Sequence, residues 1–365
     1  MPLSEKAISA LPSPTLIVFP DRVQSNIDRM ISIAGDASRL RPHVKTYKMA
    51  EIVRMQMNAG IQKFKCTTLA EARMLVDCGA KEALLARQPI EPDIASLVKL
   101  AKKNPNTRVA TIVDNFDSLR AIESDCQQFD TSIGIFLDIN VGMNRTGIRA
   151  EDADALYRGV FESEEIHLEG LHVYDGHIRD ADFQERKRRC DDDYKPVEEL
   201  LERLARESLP VPCVVAGGSP TFPIHAQREN VDLSPGTTLL WDFGYGDLFR
   251  DLPFEHAALI LTRVISKPGE DLVCFDLGHK AVASEMPHPR VQLLGIEDDI
   301  EFVGHSEEHL VARTSRASEL SIGVAFLGIP NHICPTVALH NKVVVVKNGE
   351  STGTWTVTAR DRILS

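Results

Sequence analysis

Two hydrophobic periods alternate along the first 250 or so residues. Short apolar runs of strand length recur, ending near Lys45, Thr67, Arg87, Asp114, Asn140, Tyr174, Ala216 and Trp241. Between them, apolar residues return at spacings of three and four, the helical period. These helical stretches cover 49–58, 69–78, 92–102, 116–126, 151–161, 182–207 and 221–227. An earlier strand at 15–19 precedes a helix running to about residue 33, with Asp21 placed to cap it. Eight strands with intervening helices predict an α/β chain folded as a (β/α)8 TIM barrel. A doubly wound open sheet would be favoured by a GxGxxG turn after an early strand, and the sequence has none there.

Beyond residue 250 the helical period disappears. Strand-like runs at 258–265, 272–276, 291–295, 309–313, 320–328 and 342–347 are separated by turn residues such as Lys267-Pro268-Gly269 and Lys347-Asn348-Gly349. The pattern predicts a C-terminal antiparallel β domain. The expected division is therefore a barrel over 1–250 and a β domain over 251–365, the N-terminal strand being able to pack on the β domain.

Composition narrows the class. At 365 residues the chain is long enough for both parts. It carries 41 basic against 53 acidic residues, a net charge of −12, which disfavours nucleic acid or an anionic membrane as the main partner. No apolar run reaches the roughly 20 residues of a membrane span. Glu5 and Lys6 interrupt the N-terminus, so no secretory leader is expected. Seven scattered cysteines without a CxxC pair fit a reduced, cytoplasmic protein.

Several stretches concentrate chemistry. Residues 40–48 hold Arg41, His43, Lys45 and Lys48 at a strand exit, where barrels place reactive groups. Lys45 there is either a solvated charge or an amine projecting over the barrel mouth. Ala216-Gly217-Gly218-Ser219-Pro220-Thr221 follows the seventh strand and opens a helix. It is an ordinary turn or, with Gly236 and Thr237 beside it, a phosphate site. Arg145, in Gly142-Met143-Asn144-Arg145-Thr146-Gly147, is a surface arginine or a fixed guanidinium facing an anion. Alternation places His172 and Tyr174 on one face of the sixth strand, with Tyr174 a pocket residue. His177 in the exit loop is a structural histidine or a proton acceptor. His332 and Cys334 are one residue apart, so an extended backbone would turn both the same way. Imidazole and thiolate suit a divalent metal, and two ligands leave positions open. Packed as a pair without metal, they would be a buried histidine and thiol.

Arg41-Pro42-His43-Val44-Lys45-Thr46 resembles the signature of the D-serine dehydratases and D-threonine aldolases. These pyridoxal-phosphate enzymes share the alanine racemase barrel, and the likeness extends over nearly the whole chain. The resemblance implies that Lys45 carries pyridoxal 5'-phosphate as a Schiff base. It also implies that Gly217, Gly218, Ser219, Thr221, Gly236 and Thr237 form the turns around its phosphate, and that Arg145 contacts its phenolic oxygen. The stretch 330–336 resembles the family's metal-binding segment, so His332 and Cys334 would hold zinc, or else manganese or magnesium. D-threonine aldolases more often show His/Asp there, so Cys334 tilts the ligand set toward the dehydratases. Tyr47 stands where the family usually has histidine, a departure that touches the pocket. Residues 276–281 also resemble a family stretch, without an assigned role.

The implied activity is that of a lyase on D-β-hydroxy-α-amino acids. It would either dehydrate them to a 2-oxo acid and ammonia, with Lys45 removing the α-proton and the metal assisting hydroxide departure, or cleave them to glycine and an aldehyde, with His177 or a metal-bound hydroxide as base. The resemblance further implies a homodimer, each site lying between one barrel and the partner's β domain. An amino-acid racemase is the competing enzyme. That class uses a tyrosine from the β domain, and the tyrosines here, at 47, 157, 174, 194 and 245, all precede residue 251. A non-catalytic cofactor-binding protein is the third possibility, though barrels of that kind lack a β domain and need no metal.

Overall fold

The computed structural model describes residues 2–362. The chain divides into two compact units. One comprises Met30–Lys45 and Ile52–Gly236. The other comprises the residues up to Arg29, then Thr46–Glu51 and Thr237–Arg360.

The first unit is a parallel sheet. Its strands Lys63–Cys66, Glu82–Leu85, Arg108–Val113, Gly134–Asn140, His167–Val173, Cys213–Ala216 and Val231–Leu233 lie side by side in chain order. Most of their residues are buried, as expected when helices cover a parallel sheet. Leu84, Ala110, Ile112, Phe136 and Val215 form one core cluster. The helices follow the expected period. Leu69–Cys78 starts on Thr68, whose hydroxyl accepts the Glu71 N–H, and ends on Gly79 in the left-handed region at φ 82°.

Two strand expectations are corrected here. The run ending at Lys45 is not a regular strand. Leu40 bridges Leu233 and His43 bridges Lys65, so residues 40–43 close the ring through single contacts. Pro42 has no N–H to give a ladder, but its carbonyl accepts the Lys65 N–H at 2.9 Å. Lys45 then falls in the 3-10 turn Val44–Thr46. The last strand is Val231–Leu233 rather than a run ending at Trp241. After Pro235 and Gly236, Thr237–Leu239 forms a buried 3-10 turn, and Trp241 has φ 48°. A smaller correction concerns Asp21. The helix Pro20–Ala34 begins one residue earlier, so Asp21 lies inside its first turn.

The second unit is mainly antiparallel. The long strand Ala258–Ser266 pairs with Thr15–Val18, Ala325–Pro330 and Leu272–Phe275, with a bulge between Val264 and Ser266. Thr15–Val18 is flanked on its other edge by Lys342–Lys347, in parallel. Lys342–Lys347 turns into Glu350–Thr356 through Asn348 and Gly349, both at positive φ, the geometry that Asn-Gly hairpins require. Glu301–His305 and Glu350–Thr356 are strands that the hydrophobic pattern did not reveal, because their residues are largely exposed. Where the sequence put the division near residue 250, Thr237–Arg360 groups together. Tyr47 and Tyr245 group with this unit, while residues 251–365 hold no tyrosine. Tyr47 is fully buried, and Tyr245 packs edge-on against Trp241 and Phe249.

Candidate active site

The ring closure that corrects the strand pattern also aims Lys45. The His43 N–H goes to the Pro235 carbonyl at 2.8 Å, fixing the backbone. His43 Nδ1 accepts the Lys45 N–H at 3.2 Å, so Nε2 carries the ring proton and donates to Thr67 Oγ1 at 2.8 Å. Arg41, from the same segment, is only 3% exposed and is held by Asp232 at 3.1 Å and Glu82 at 2.7 Å. It braces the barrel and takes no part in the pocket.

Lys45 opens onto a cavity of about 320 Å³ lined by His43, Lys65, Thr67, Ala86, Arg87, Gln88, Arg145, Thr146, His172 and Tyr174. Of the predicted site residues, Lys45, Arg145 and Tyr174 meet here. The Tyr174 ring is the common surface: Lys45 Nζ lies 5.8 Å, Lys65 Nζ 5.3 Å and Arg145 Cζ 5.1 Å from its centroid. Asn140 shapes the turn that presents Arg145, its Oδ1 accepting the N–H groups of Gly142 and Asn144 at 3.1 Å. Four cationic side chains line the cavity and no carboxylate does. That donor set fits a phosphorylated, phenolate-bearing cofactor with an aldehyde for Lys45.

The acids stand one layer back. Asp138 Oδ1 accepts the His172 Nδ1–H at 2.7 Å, and Oδ2 accepts Gln88 Nε2 at 2.8 Å and Thr146 Oγ1 at 2.9 Å. Burial pushes the Asp138 carboxyl up, but these bonds, the one from His172 foremost, hold it below its ordinary value. His172 Nε2 then faces Lys65 Nζ at 3.4 Å. Burial, and next the charge of Lys65, keep His172 below the usual imidazole value.

The glycine turn is braced from beneath. Gly217 has φ 78°, and a side chain there would meet His225 at 2.8 Å, so glycine is required. The Gly218 N–H goes to Thr221 Oγ1 at 3.1 Å, and Thr221 donates to Asp175 Oδ1 at 2.7 Å. The Gly236 N–H goes to Ser219 Oγ at 3.1 Å, joining the two predicted turns. The helix that follows, Phe222–His225, is a single turn. Thr237 lies in the other unit, where its hydroxyl is 3.7 Å from Cys334 Sγ.

Asp175, Cys190 and His225 come close enough to suggest a metal site. Their protons argue for a brace instead. Arg228 donates to His225 Nδ1 at 3.1 Å, so Nε2 carries hydrogen and points at Asp175 Oδ2 at 2.8 Å. Burial, then Asp175, drive the Cys190 thiol far above its ordinary value. A protonated thiol and a doubly engaged imidazole offer a cation little.

His177 is not in the cavity lining. Its Nε2 bonds Asp193 Oδ2 at 2.8 Å, beside Gly142. In the β-rich unit the extended geometry expected at His332 and Cys334 is corrected. His332 is the extended residue before the helix Ile333–Leu339, and Cys334 sits in its first turn, where Pro335 loses nothing by lacking an N–H. The pair still fits a metal. His332 Nδ1 is taken by Glu285 Oε1 at 2.5 Å, which leaves Nε2 to ligate, a common arrangement behind metal-bound histidine. Burial pushes His332 down, but Cys334 and then Glu285 raise it to about 9. The Cys334 sulfur also contacts Thr46 Oγ1 at 3.2 Å. Asp276 serves structure, accepting from Thr262 Oγ1 at 2.7 Å and the Arg263 N–H at 2.8 Å. All seven cysteines are free. No described helix is long and apolar enough to cross a membrane.

The sequence reading missed Lys65, Arg87, Gln88 and Asp138. Lys63-Phe64-Lys65-Cys66 held a signal: a lysine in the middle of a buried strand.

Comparison with known proteins adds lineage. Residues 18–241 match the model for the alanine racemase N-terminal domain, and 257–346 that for a putative serine dehydratase domain. The 3-hydroxy-D-aspartate aldolase of Paracoccus denitrificans (strain Pd 1222) is 26% identical over 97% of this chain and 93% of its own. The crystal structure of D-threonine aldolase from Filomicrobium marinum superposes with a TM-score of 0.85 at 26% identity, covering 96% of each chain. A cysteine-to-alanine variant of D-threo-3-hydroxyaspartate dehydratase, described as the metal-free form, superposes at 0.84 with 21% identity, covering 98% of this chain and 99% of that one.

Proposed function

We propose, from the premise that this chain belongs to the alanine racemase N-terminal-domain family, that it is a pyridoxal-phosphate- and metal-dependent lyase of D-β-hydroxy-α-amino acids. The observation that carries the reading is the meeting of Lys45, Arg145 and Tyr174 on one cavity lined, among the described residues, by four lysine and arginine side chains and no acid. The cofactor, when bound, supplies an electron sink for the substrate's α-carbon. Lys45 is the amine that holds it and the base that exchanges the α-proton. Tyr174 gives the flat wall against which a ring stacks, and Arg145 keeps a phenolic oxygen anionic. The Gly217–Gly218 turn, braced through Thr221, receives the phosphate.

His332 and Cys334 hold the metal, zinc in the first instance, which when bound supplies a Lewis acid toward the substrate's β-hydroxyl. The engaged Nδ1 of His332 supports this assignment, as does the related dehydratase in which loss of a cysteine accompanies a metal-free form. Glu285 fixes the His332 ring. The working protein is a homodimer in the cytoplasm. The reaction is either cleavage to glycine and an aldehyde or dehydration to a 2-oxo acid and ammonia. The test is product analysis with D-threonine, D-serine and D-3-hydroxyaspartate, with and without added divalent metal. Racemisation of alanine without either lyase product would overturn the proposal.

A further inference from the structure

Lys65 is 2% exposed, lines the cavity, and forms no ion pair among the described residues. The other deeply buried cations differ. Arg41 is paired with Asp232 and Glu82, and Arg186 donates to the carbonyls of Pro220, Asp180 and Ala181. A buried ammonium lacking such partners is disfavoured, so this amine gives up its proton far more readily than an exposed lysine until an anion joins it.

Its surroundings reinforce this. From the ring-closing segment, Lys45 and His43 face it. From Gly134–Asn140 and its exit come Asp138 and Arg145, and from His167–Val173 and its exit come His172, Tyr174 and Asp175. Both carboxylates are already engaged, Asp138 by His172, Gln88 and Thr146, and Asp175 by His225 and Thr221. Beyond the Tyr174 ring, the side chain that Lys65 Nζ meets is His172, whose Nε2 lies at 3.4 Å. Its partner nitrogen gives its proton to Asp138, so Nε2 is an acceptor.

We propose that Lys65 is a second proton-handling residue of the pocket, which takes up a proton when an anionic ligand enters the cavity and holds it against His172. The inference rests on the cofactor reading above. The step is Lys65–NH2 plus a proton from solvent giving Lys65–NH3⁺; only the N–H bond forms. Burial first, and Lys45 next, bring Lys65 down to about 7, so the free pocket is short of this proton at mildly alkaline pH and a phosphate or phenolate restores it. The pocket's charge thus follows its occupant.

The test is calorimetry of the stripped full-length chain at pH 8 in buffers of differing ionisation enthalpy. The probes are pyridoxal 5'-phosphate and 4'-deoxypyridoxine phosphate, the second lacking the aldehyde with which Lys45 reacts. Wild type should take up close to one proton more per bound analogue than Lys65→Met. Lys65→Arg should take up none beyond Lys65→Met, yet keep its affinity as pH rises, while wild type weakens. Should Lys65→Met fail to fold, wild type answers alone. Competitive acetylation across pH, read by mass spectrometry, should place Lys65 near neutrality in the stripped chain and higher with analogue bound. An ordinary lysine titration in both states, or equal proton uptake in wild type and Lys65→Met, would overturn the inference. Analogue bound without proton uptake sinks Lys65 alone. Absence of any binding, seen as no heat, sinks the cofactor reading with it.

Discussion

Replacing Asp175 with asparagine separates a brace from a metal site. Asp175 is 3% exposed and accepts from His225 at 2.8 Å, Thr221 at 2.7 Å and, more weakly, the Cys190 thiol at 3.6 Å. Asparagine keeps the shape but must turn its NH2 toward one of those donors. Losing a charge-assisted bond costs about 1.5–3 kcal/mol, and the donor left facing a donor costs about 1–3 more. A loss of roughly 3–5 kcal/mol is expected, hence a fall of about 6–20 °C in Tm at about 2–4 °C per kcal/mol for a unit of this size. Burial pushes the Asp175 carboxyl up, but His225 and Thr221 hold it below its ordinary value. A carboxylate lowered by folding contributes stability that is present above its unfolded value of about 3.9 and lost as pH falls through the folded one. The gap between wild type and Asp175→Asn should therefore be full at neutral pH and close only in acid. Scanning calorimetry at pH 5–8 and in acid measures it. Cys190→Ala is the control, expected to cost about 1 kcal/mol in packing and to leave bound metal, counted by mass spectrometry, unchanged. A Tm for Asp175→Asn within a degree or so of wild type, or metal lost with Cys190→Ala but kept in Cys334→Ala, would refute the brace.

Three further outcomes are expected. Borohydride reduction of the cofactor-loaded enzyme followed by peptide mapping should place the cofactor on Lys45; label on Lys48 or Lys280 would contradict it. Dialysis against EDTA, or Cys334→Ala, should abolish lyase turnover while the visible absorbance of bound cofactor persists, and added zinc should restore only the dialysed wild type. Unchanged turnover in both would make His332 and Cys334 a packed pair. Sedimentation at micromolar concentration should give a dimer, and a fully active monomer would exclude it.

Much of the barrel was legible because buried parallel strands and amphipathic helices write different periods. The helix Leu69–Cys78 lies where its spacing predicted, with a threonine and a glycine at its ends. What failed had local causes. The segment before Lys45 does a strand's work through single bonds, because Pro42 cannot join a ladder. The run before Trp241 is buried by packing and not by extension. The helix that holds Cys334 escaped the pattern because Ile333–Leu339 makes only about two turns, too short to leave a period in the sequence. In the site, Lys45, Arg145 and Tyr174, singled out from their stretches and from the family resemblance, share one cavity. Lys65 was not singled out, since a strand lysine reads as solvated until its neighbours are known. His177 was placed by its loop position, and its bond to Asp193 depends on how the helix expected over 182–207 packs, which its period does not reveal.

The threading of the chain has a consequence for its synthesis. Thr15–Val18 leaves the ribosome early, but both strands that flank it come from the last third of the sequence: Ala258–Ser266 on one edge and Lys342–Lys347 on the other. At about 5–20 residues per second, a wait of roughly 10–50 seconds separates this strand from its first partner about 240 residues later. During that time the parallel sheet can be completed, since its last strand ends at Leu233, while an apolar segment with two unsatisfied edges trails in solution. The growing chain must keep its first strand out of foreign sheets until its own is made. Limited proteolysis of released chains ending near residue 240 should find the barrel resistant and the segment around Thr15–Val18 cleavable.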